Sequence, residues 1–186
     1  MNAKRLEVAT LGGGCFWCLE GVFEQVLGVE SVAPGYCGGH VDAPTYHAVC
    51  TGNTGHAEVV RVVFEPQIIS YESLLEIFFA IHDPTTLNRQ GNDVGTQYRS
   101  IIFCHSDAQK DAAQLLIQQL EAEKLWASPV QTEICPEAPF FAAEKEHRQY
   151  YSRNPDQGYC RLVIAPKVAK LRSKFKSFVR TDVASS

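Results

Sequence analysis

Apolar residues change rhythm several times along the chain, and each change predicts an element. "RLEVATLGG" is β-prone and stops at glycines, and "CFWCLEGVFEQVLG" then sets Phe16, Leu19, Phe23, Val26 and Leu27 at helical spacing before Gly28. "VESVAPGYCGG" predicts a second strand running into a loop. "AEVVRVVFEP" is a nearly continuous apolar run closed by Pro66, the pattern of a strand buried on both faces. Ser70 is placed to cap a helix with apolar positions Leu74, Leu75, Phe78, Phe79 and Ile81, which ends before "HDPTT". After a long loop comes the strand "RSIIFCH". Ser106 with Gln109 resembles a capping box for the helix "DAQKDAAQLLIQQLEAEKLW", and "PVQTEIC" has the character of an edge strand. This alternation, unbroken by repeats or low-complexity tracts, predicts an α+β fold with helices packed against a mixed sheet.

Composition narrows the class. A chain of 186 residues suits one domain, 1–186, able to bury a continuous core without metals or disulfide staples. A net charge of -4 with 45% hydrophobic and 20% charged residues indicates neither disorder nor a broad nucleic-acid footprint. The N-terminus has basic residues but no apolar h-region, and no run approaches the ~18 apolar residues of a membrane span, so a soluble cytoplasmic protein is expected. Seven cysteines (15, 18, 37, 50, 104, 135 and 160) are an odd number in a chain too large to need a disulfide framework, and in a reducing compartment most are expected as free thiols.

Cys15 follows three glycines at a helix start, where unpaired N–H groups and the positive end of the dipole favour a thiolate. The plain alternative is a small buried hydrophobe. Cys15, Cys18, Cys37 and His40 also give C-x2-C, an 18-residue gap, then C-x2-H, compatible with structural zinc, although Phe16 and Trp17 are bulky for a metal knuckle. A thioredoxin-like dithiol of Cys15 and Cys18 is a third reading. No nucleotide fingerprint is present, because "GGG" lacks the G-x-G-x-x-G spacing.

"GGGCFWCLE", "PTYHAVCTGNTGHAEVVRVVFEP" and "FFAIHDPTTLNRQGNDVGTQYRSIIF" together closely resemble the A-type peptide methionine sulfoxide reductases over roughly residues 8 to 160. The resemblance implies a ferredoxin-like plait and a thiol-dependent oxidoreductase that returns the S epimer of methionine sulfoxide, free or in proteins, to methionine in protein repair under oxidative stress. It implies Cys15 as nucleophile, Glu58 as the acid that protonates the oxygen, Tyr46 and Tyr98 as hydrogen-bond donors to that oxygen, and Asp93 as an organiser of the site. Phe16 and Trp17 become the apolar seat for the methyl group. His56 is expected to support Glu58, two positions on along a strand, and His147 to be structural.

After turnover the resemblance implies a sulfenic acid on Cys15 that another thiol must condense. Cys160, in "NPDQGYC", stands where relatives carry a resolving cysteine. Cys18 competes, replacing a glycine common after Phe-Trp in the family. The glycine-rich tail of many relatives is missing here. Residues 161–186 are expected to form a basic extension instead, "CRLVIAP" as a strand and then a helix with Val168, Leu171, Phe175 and Phe178 on one face, docked on the domain. Cys37, Cys50, Cys104 and Cys135 are expected to be buried inert thiols. No cofactor or metal is expected, nor a membrane or nucleic-acid partner; electrons should arrive by dithiol exchange from thioredoxin.

Overall fold

The glycine run after the first strand decides where the chain turns toward its first helix. In the computed structural model, which describes residues 3–181, Gly14 has φ +85°, a left-handed conformation that side chains rarely adopt. Gly12 passes so close to the neighbouring strand that a Cβ would stand 2.9 Å from the Glu58 carbonyl oxygen. The chain thus leaves strand β1 (Glu7–Gly12) tightly and enters helix α1 (Phe16–Phe23).

The remaining elements are β2 (Val29–Cys37), α2 (Tyr46–Cys50), β3 (Ala57–Phe64), α3 (Tyr71–Ile81), β4 (Arg89–Gln90), β5 (Asp93–Val94), β6 (Ile101–Cys104), α4 (Asp107–Ala122), β7 (Glu133–Pro136), β8 (Phe140–Ala142), α5 (Tyr150–Arg153) and α6 (Ala165–Lys174). The main sheet runs β7-β6-β1-β3-β2-β8, with antiparallel pairing throughout except for the parallel edge pair β6 and β7. Within it, β1-α1-β2-β3-α3-β6 in spatial order β6-β1-β3-β2 is the split-βαβ arrangement of a ferredoxin-like plait. The expected α+β class, the mixed sheet and the edge position of the "QTEIC" strand therefore all hold. No helix among the described residues is long and apolar enough to cross a membrane.

Alternation along the strands separates two layers. Ala9, Leu11, Tyr36, Val60, Val62 and Ile102 join α1 and α3 in the main core, whereas Cys37, Ala57, Val59, Ile101 and Phe103 form a smaller cluster on the other face. Strand β3 is buried on both faces only in its first half. Arg61 is exposed and lies over the Phe140 ring at 5.5 Å, so the second face opens to solvent there. Helix α1 ends at Phe23, earlier than its apolar spacing suggests: Val26 is buried beyond the helix and Leu27 is exposed. Ser70 caps α3 as expected, accepting the Ser73 amide. Ser106 caps α4 through the Gln109 amide, but the Gln109 side chain reaches past the cap, accepting from the His105 amide and donating to the Val8 carbonyl of β1.

The C-terminal extension departs from expectation at its start. Residues Cys160–Ile164 form a wide π-type helical turn leading into α6, not a strand. Cys160, Ile164, Val168 and Leu171 recur at helical spacing and all are buried, while Leu162 between them is 79% exposed, so a helix buries this stripe and a strand would not. Pro166 stands in the first turn of α6, directly after this wide turn. The helix docks on the domain as expected but stops at Lys174, and Phe175 and Phe178 complete the contact from the turns beyond it. Residues 182–186 of the extension lie outside the described residues.

If this stripe anchors α6, Leu171→Ala removes a fully buried side chain and should lower unfolding free energy by about 2–5 kcal/mol, whereas exposed Leu162→Ala should stay within about 0.5 kcal/mol in urea denaturation.

Candidate active site

A helix start needs acceptors for its first N–H groups. Cys15 occupies the N-cap of α1 but its side chain caps nothing. The acceptor comes instead from the sheet: Glu58 on β3, fully buried, takes the Phe16 amide on Oε2 at 3.0 Å. Its other oxygen, Oε1, is buried without a partner. Burial pushes the Glu58 carboxyl up to about 8, the Phe16 amide opposes this, and the charge of Asp93 adds to it. Near neutral pH it is a protonated carboxylic acid with one oxygen unengaged.

Cys15 is 7% exposed. Burial is the largest influence on its thiol and pushes it well up, followed by the charges of Glu58 and Cys18; the Trp17 amide and the Tyr159 hydroxyl pull the other way. The thiolate that the helix start alone would favour is therefore outweighed in this buried setting. All seven cysteines are free. Cys18 accepts the Tyr159 hydroxyl, or donates to it, at 3.5 Å, and its backbone N–H closes the first turn onto the Cys15 carbonyl at 3.1 Å. Cys160 is fully buried, and Cys18 is the one thiol that bears on its ionisation.

Tyr46 begins α2, and Tyr98 is delivered by a turn whose carbonyl accepts the Gly14 amide at 3.1 Å. Both hydroxyls are held well above the ordinary tyrosine range, chiefly by burial, with Glu58 and Cys15 among the groups bearing on each. They stay protonated as donors. Asp93, on the β4–β5 hairpin, accepts the Tyr159 hydroxyl at 2.7 Å. Phe16 is fully buried beside Tyr36 (5.7 Å between ring centroids), Tyr46 (6.3 Å) and His147 (5.8 Å), whereas Trp17 is half-buried. Of the two expected seat residues, Trp17 offers surface and Phe16 backs it.

The structure thus brings together Cys15, Phe16, Trp17, Cys18, Tyr46, Glu58, Asp93, Tyr98 and Cys160. It separates the four residues of the zinc reading: Cys37 lies in the smaller cluster on the other face of the sheet, its thiol on the Ala138 carbonyl, and His40 is exposed. Among the described residues the group able to converge on a metal is instead Glu144, Glu146 and His147. His56 precedes β3 and braces the loop before α2, accepting the Gly39 amide on Nδ1 at 3.0 Å while Nε2 bonds the Val41 carbonyl at 2.7 Å. Cys37 and Cys104 are buried as expected and Cys135 is half-buried, but Cys50 is exposed, because the short surface helix α2 buries only Val49.

Sequence reasoning missed Glu144, Tyr150 and Tyr159, on the segment 144–160 that crosses the site. Glu144 accepts the Tyr36 hydroxyl and the Tyr46 amide, each at 2.9 Å. His147 lies tilted against Tyr46, 4.2 Å between ring centroids and 34° between planes, and Tyr150 stacks on Trp17 at 3.8 Å and 8°. The aromatic density of "EHRQYY" and "GYC" was the available signal.

Comparison with known proteins agrees with this geometry. The family model for peptide methionine sulfoxide reductase matches residues 7–179. A relative from Polynucleobacter asymbioticus named peptide methionine sulfoxide reductase MsrA is 54% identical over 183 residues, covering 98% of this chain and 96% of that protein. Reduced Mxr1 from Saccharomyces cerevisiae superposes with a TM-score of 0.74 at 35% identity, covering 84% of this chain and 90% of the yeast chain. Mxr1 in complex with Trx2 gives 0.53 at 26%, covering 80% and 87%. The chain belongs to the peptide methionine sulfoxide reductases, a family of oxidoreductases.

Proposed function

We propose that this chain reduces the S epimer of methionine sulfoxide, free or in proteins, by thiol attack at Cys15. The observation that carries the reading is the neutral, fully buried Glu58 carboxyl with one unengaged oxygen beside the Cys15 thiol. Sulfoxide oxygen is a poor leaving group, so attack on sulfur needs a proton donor at that oxygen. Glu58 supplies the proton, and the Tyr46 and Tyr98 hydroxyls donate to the developing charge. Trp17, backed by Phe16, seats the methyl group through sulfur–aromatic contact. Asp93 helps hold Glu58 in its acid form.

The two-electron balance is closed on cysteine. Attack joins the Cys15 sulfur to the substrate sulfur as the protonated oxygen departs as water; water then adds to the Cys15 sulfur and breaks that bond, so the substrate leaves as the thioether, two electrons richer, and Cys15 is left as a sulfenic acid. A second thiol then condenses with it, releasing water and leaving a disulfide, which an external dithiol returns to two thiols. Cys18 is the first resolver in this reading, because it shares the first turn of α1 with Cys15 and bonds the Tyr159 hydroxyl, which also acts on Cys15. The dithiol is thioredoxin; the complex of the related Mxr1 with Trx2 supports this. The setting is cytoplasmic repair of oxidised proteins, without a bound cofactor and without nucleic-acid or membrane partners.

Glu58→Gln should leave the fold intact and slow sulfoxide reduction by about 10²-fold or more in a coupled thioredoxin assay; near-normal turnover would remove Glu58 from the acid's role. One turnover without reductant, thiol alkylation and peptide mapping should yield a Cys15 to Cys18 disulfide; a Cys15 to Cys160 disulfide would reverse the order of resolution. Stability offers a separate check. The folded state keeps the Glu58 proton up to about pH 8 while the unfolded chain releases it near the usual 4.5, so this group's contribution falls as pH rises between those values. Urea unfolding at pH 5 and pH 9 should show Glu58→Gln gaining on the parent with pH, by on the order of a few kcal/mol.

A further inference from the structure

Glu20 lies three residues after Trp17 on α1, so the two side chains share a helix face. It is 1% exposed, has no part in the proposed chemistry, and burial pushes its carboxyl up to about 7. Burying a carboxyl is costly unless it is well used, and its partner identifies the use. Glu20 Oε1 accepts the backbone N–H of Tyr150, the first residue of α5, at 3.3 Å. Helix α5 has no cap of its own: Gln149 sits at its N-cap in a left-handed conformation (φ +53°) and its side chain bonds no helix amide. The cap is supplied across space from α1. Gly21 lets the two helices come this close, since a Cβ there would stand 3.2 Å from the Tyr151 side chain.

The capped residue is the one whose ring lies flat on Trp17, 3.8 Å away. The indole N–H of Trp17 is buried without a hydrogen-bond partner, so stacking orients the ring and no hydrogen bond does. Ring contact and amide contact close a small cycle of Trp17, Tyr150 and Glu20 on one helix face.

We infer that Glu20 is a positioning residue: by capping α5 through the Tyr150 amide it holds Tyr150 against Trp17 and so fixes the ring on which the substrate's methyl group rests. This rests on the reading of Trp17 as that seat. Because the seat serves substrate before and during reaction, loosening it should appear in KM more than in kcat.

The test uses a Trp126→Phe background, which leaves Trp17 as the one tryptophan in the chain. Glu20→Met keeps the side-chain length and removes the acceptor, and Glu20→Gln keeps an oxygen that accepts. Glu20→Met and Tyr150→Leu should each shift Trp17 emission and raise KM for a methyl sulfoxide about 10-fold with kcat within about 3-fold, the double variant should be no worse than either single, and Glu20→Gln should stay within about 3-fold of the parent. Unchanged emission and KM in Glu20→Met, a loss confined to kcat, or additive losses in the double variant would overturn the assignment. If the parent fails to turn over sulfoxide, the reductase reading falls, and the emission of the same variants still decides whether Glu20 holds the stack.

Discussion

A single hydrogen bond, from the Phe16 amide at the start of α1 to the buried carboxyl of Glu58 on β3, ties the reactive end of a helix to the centre of the sheet. A cysteine at an N-cap is a poor acceptor for the helix amides. The position therefore sets a sulfur at a helix start but leaves that start uncapped, and a carboxyl from another element must take the amide. That requirement explains why an acidic group is placed where solvation is absent, and burial in turn makes it an acid instead of a charge. The same device recurs around the site. Glu144 takes the first amide of α2, and Glu20 the first amide of α5. In all three cases the residue whose amide is captured, Phe16, Tyr46 or Tyr150, contributes its ring to the aromatic cluster about Trp17.

These captures fix the electrostatic character of the site. Burial raises Cys15, Glu58, Tyr46, Tyr98 and Tyr159 together, so the resting site holds its protons. A preformed thiolate would need a nearby cation, whereas the charges that bear most on Cys15, those of Glu58 and Cys18, oppose one. Such a site suits a reaction whose difficulty lies at the leaving oxygen. Under the proposed chemistry, a polarised sulfoxide entering a cavity of protonated donors becomes more electrophilic at sulfur, and the thiol loses its proton as the oxygen gains one.

The fold was largely legible because its signals were local. The glycines after β1, the caps at Ser70 and Ser106 and the apolar run of β3 each acted within a few residues, and gave an α+β fold with a mixed sheet, while the plait itself came only from the family resemblance. The quoted motifs named Cys15, Glu58, Tyr46, Tyr98 and Asp93, and the fold brings them to one place. The failures were all long-range or competitive. "CRLVI" is β-prone by composition, but the stripe from Cys160 to Leu171 had to be seen as a helix face. Cys15 invited a thiolate reading because the helix dipole is visible in sequence and desolvation is not. Glu20, although it ends the quoted "GGGCFWCLE", and Glu144 and Tyr150 were given no role, since their roles consist of amides captured across more than 90 residues of chain.

The C-terminal segment bears on the resolving step of the proposed chemistry. A π-type turn and α6 bury Cys160 completely and set Lys167 near enough to Cys18 to oppose the upward push of burial on that thiol. The Tyr159 hydroxyl acts on Cys18 in the same direction, so two groups of the C-terminal segment oppose the burial of that thiol. Cys160 has no comparable helper, and the nearby Cys18 raises it further. A condensing thiol reacts as its thiolate. Under the proposed chemistry the C-terminal segment thus favours the cysteine of the active-site helix over Cys160 as the resolving thiol, by setting that cysteine's surroundings.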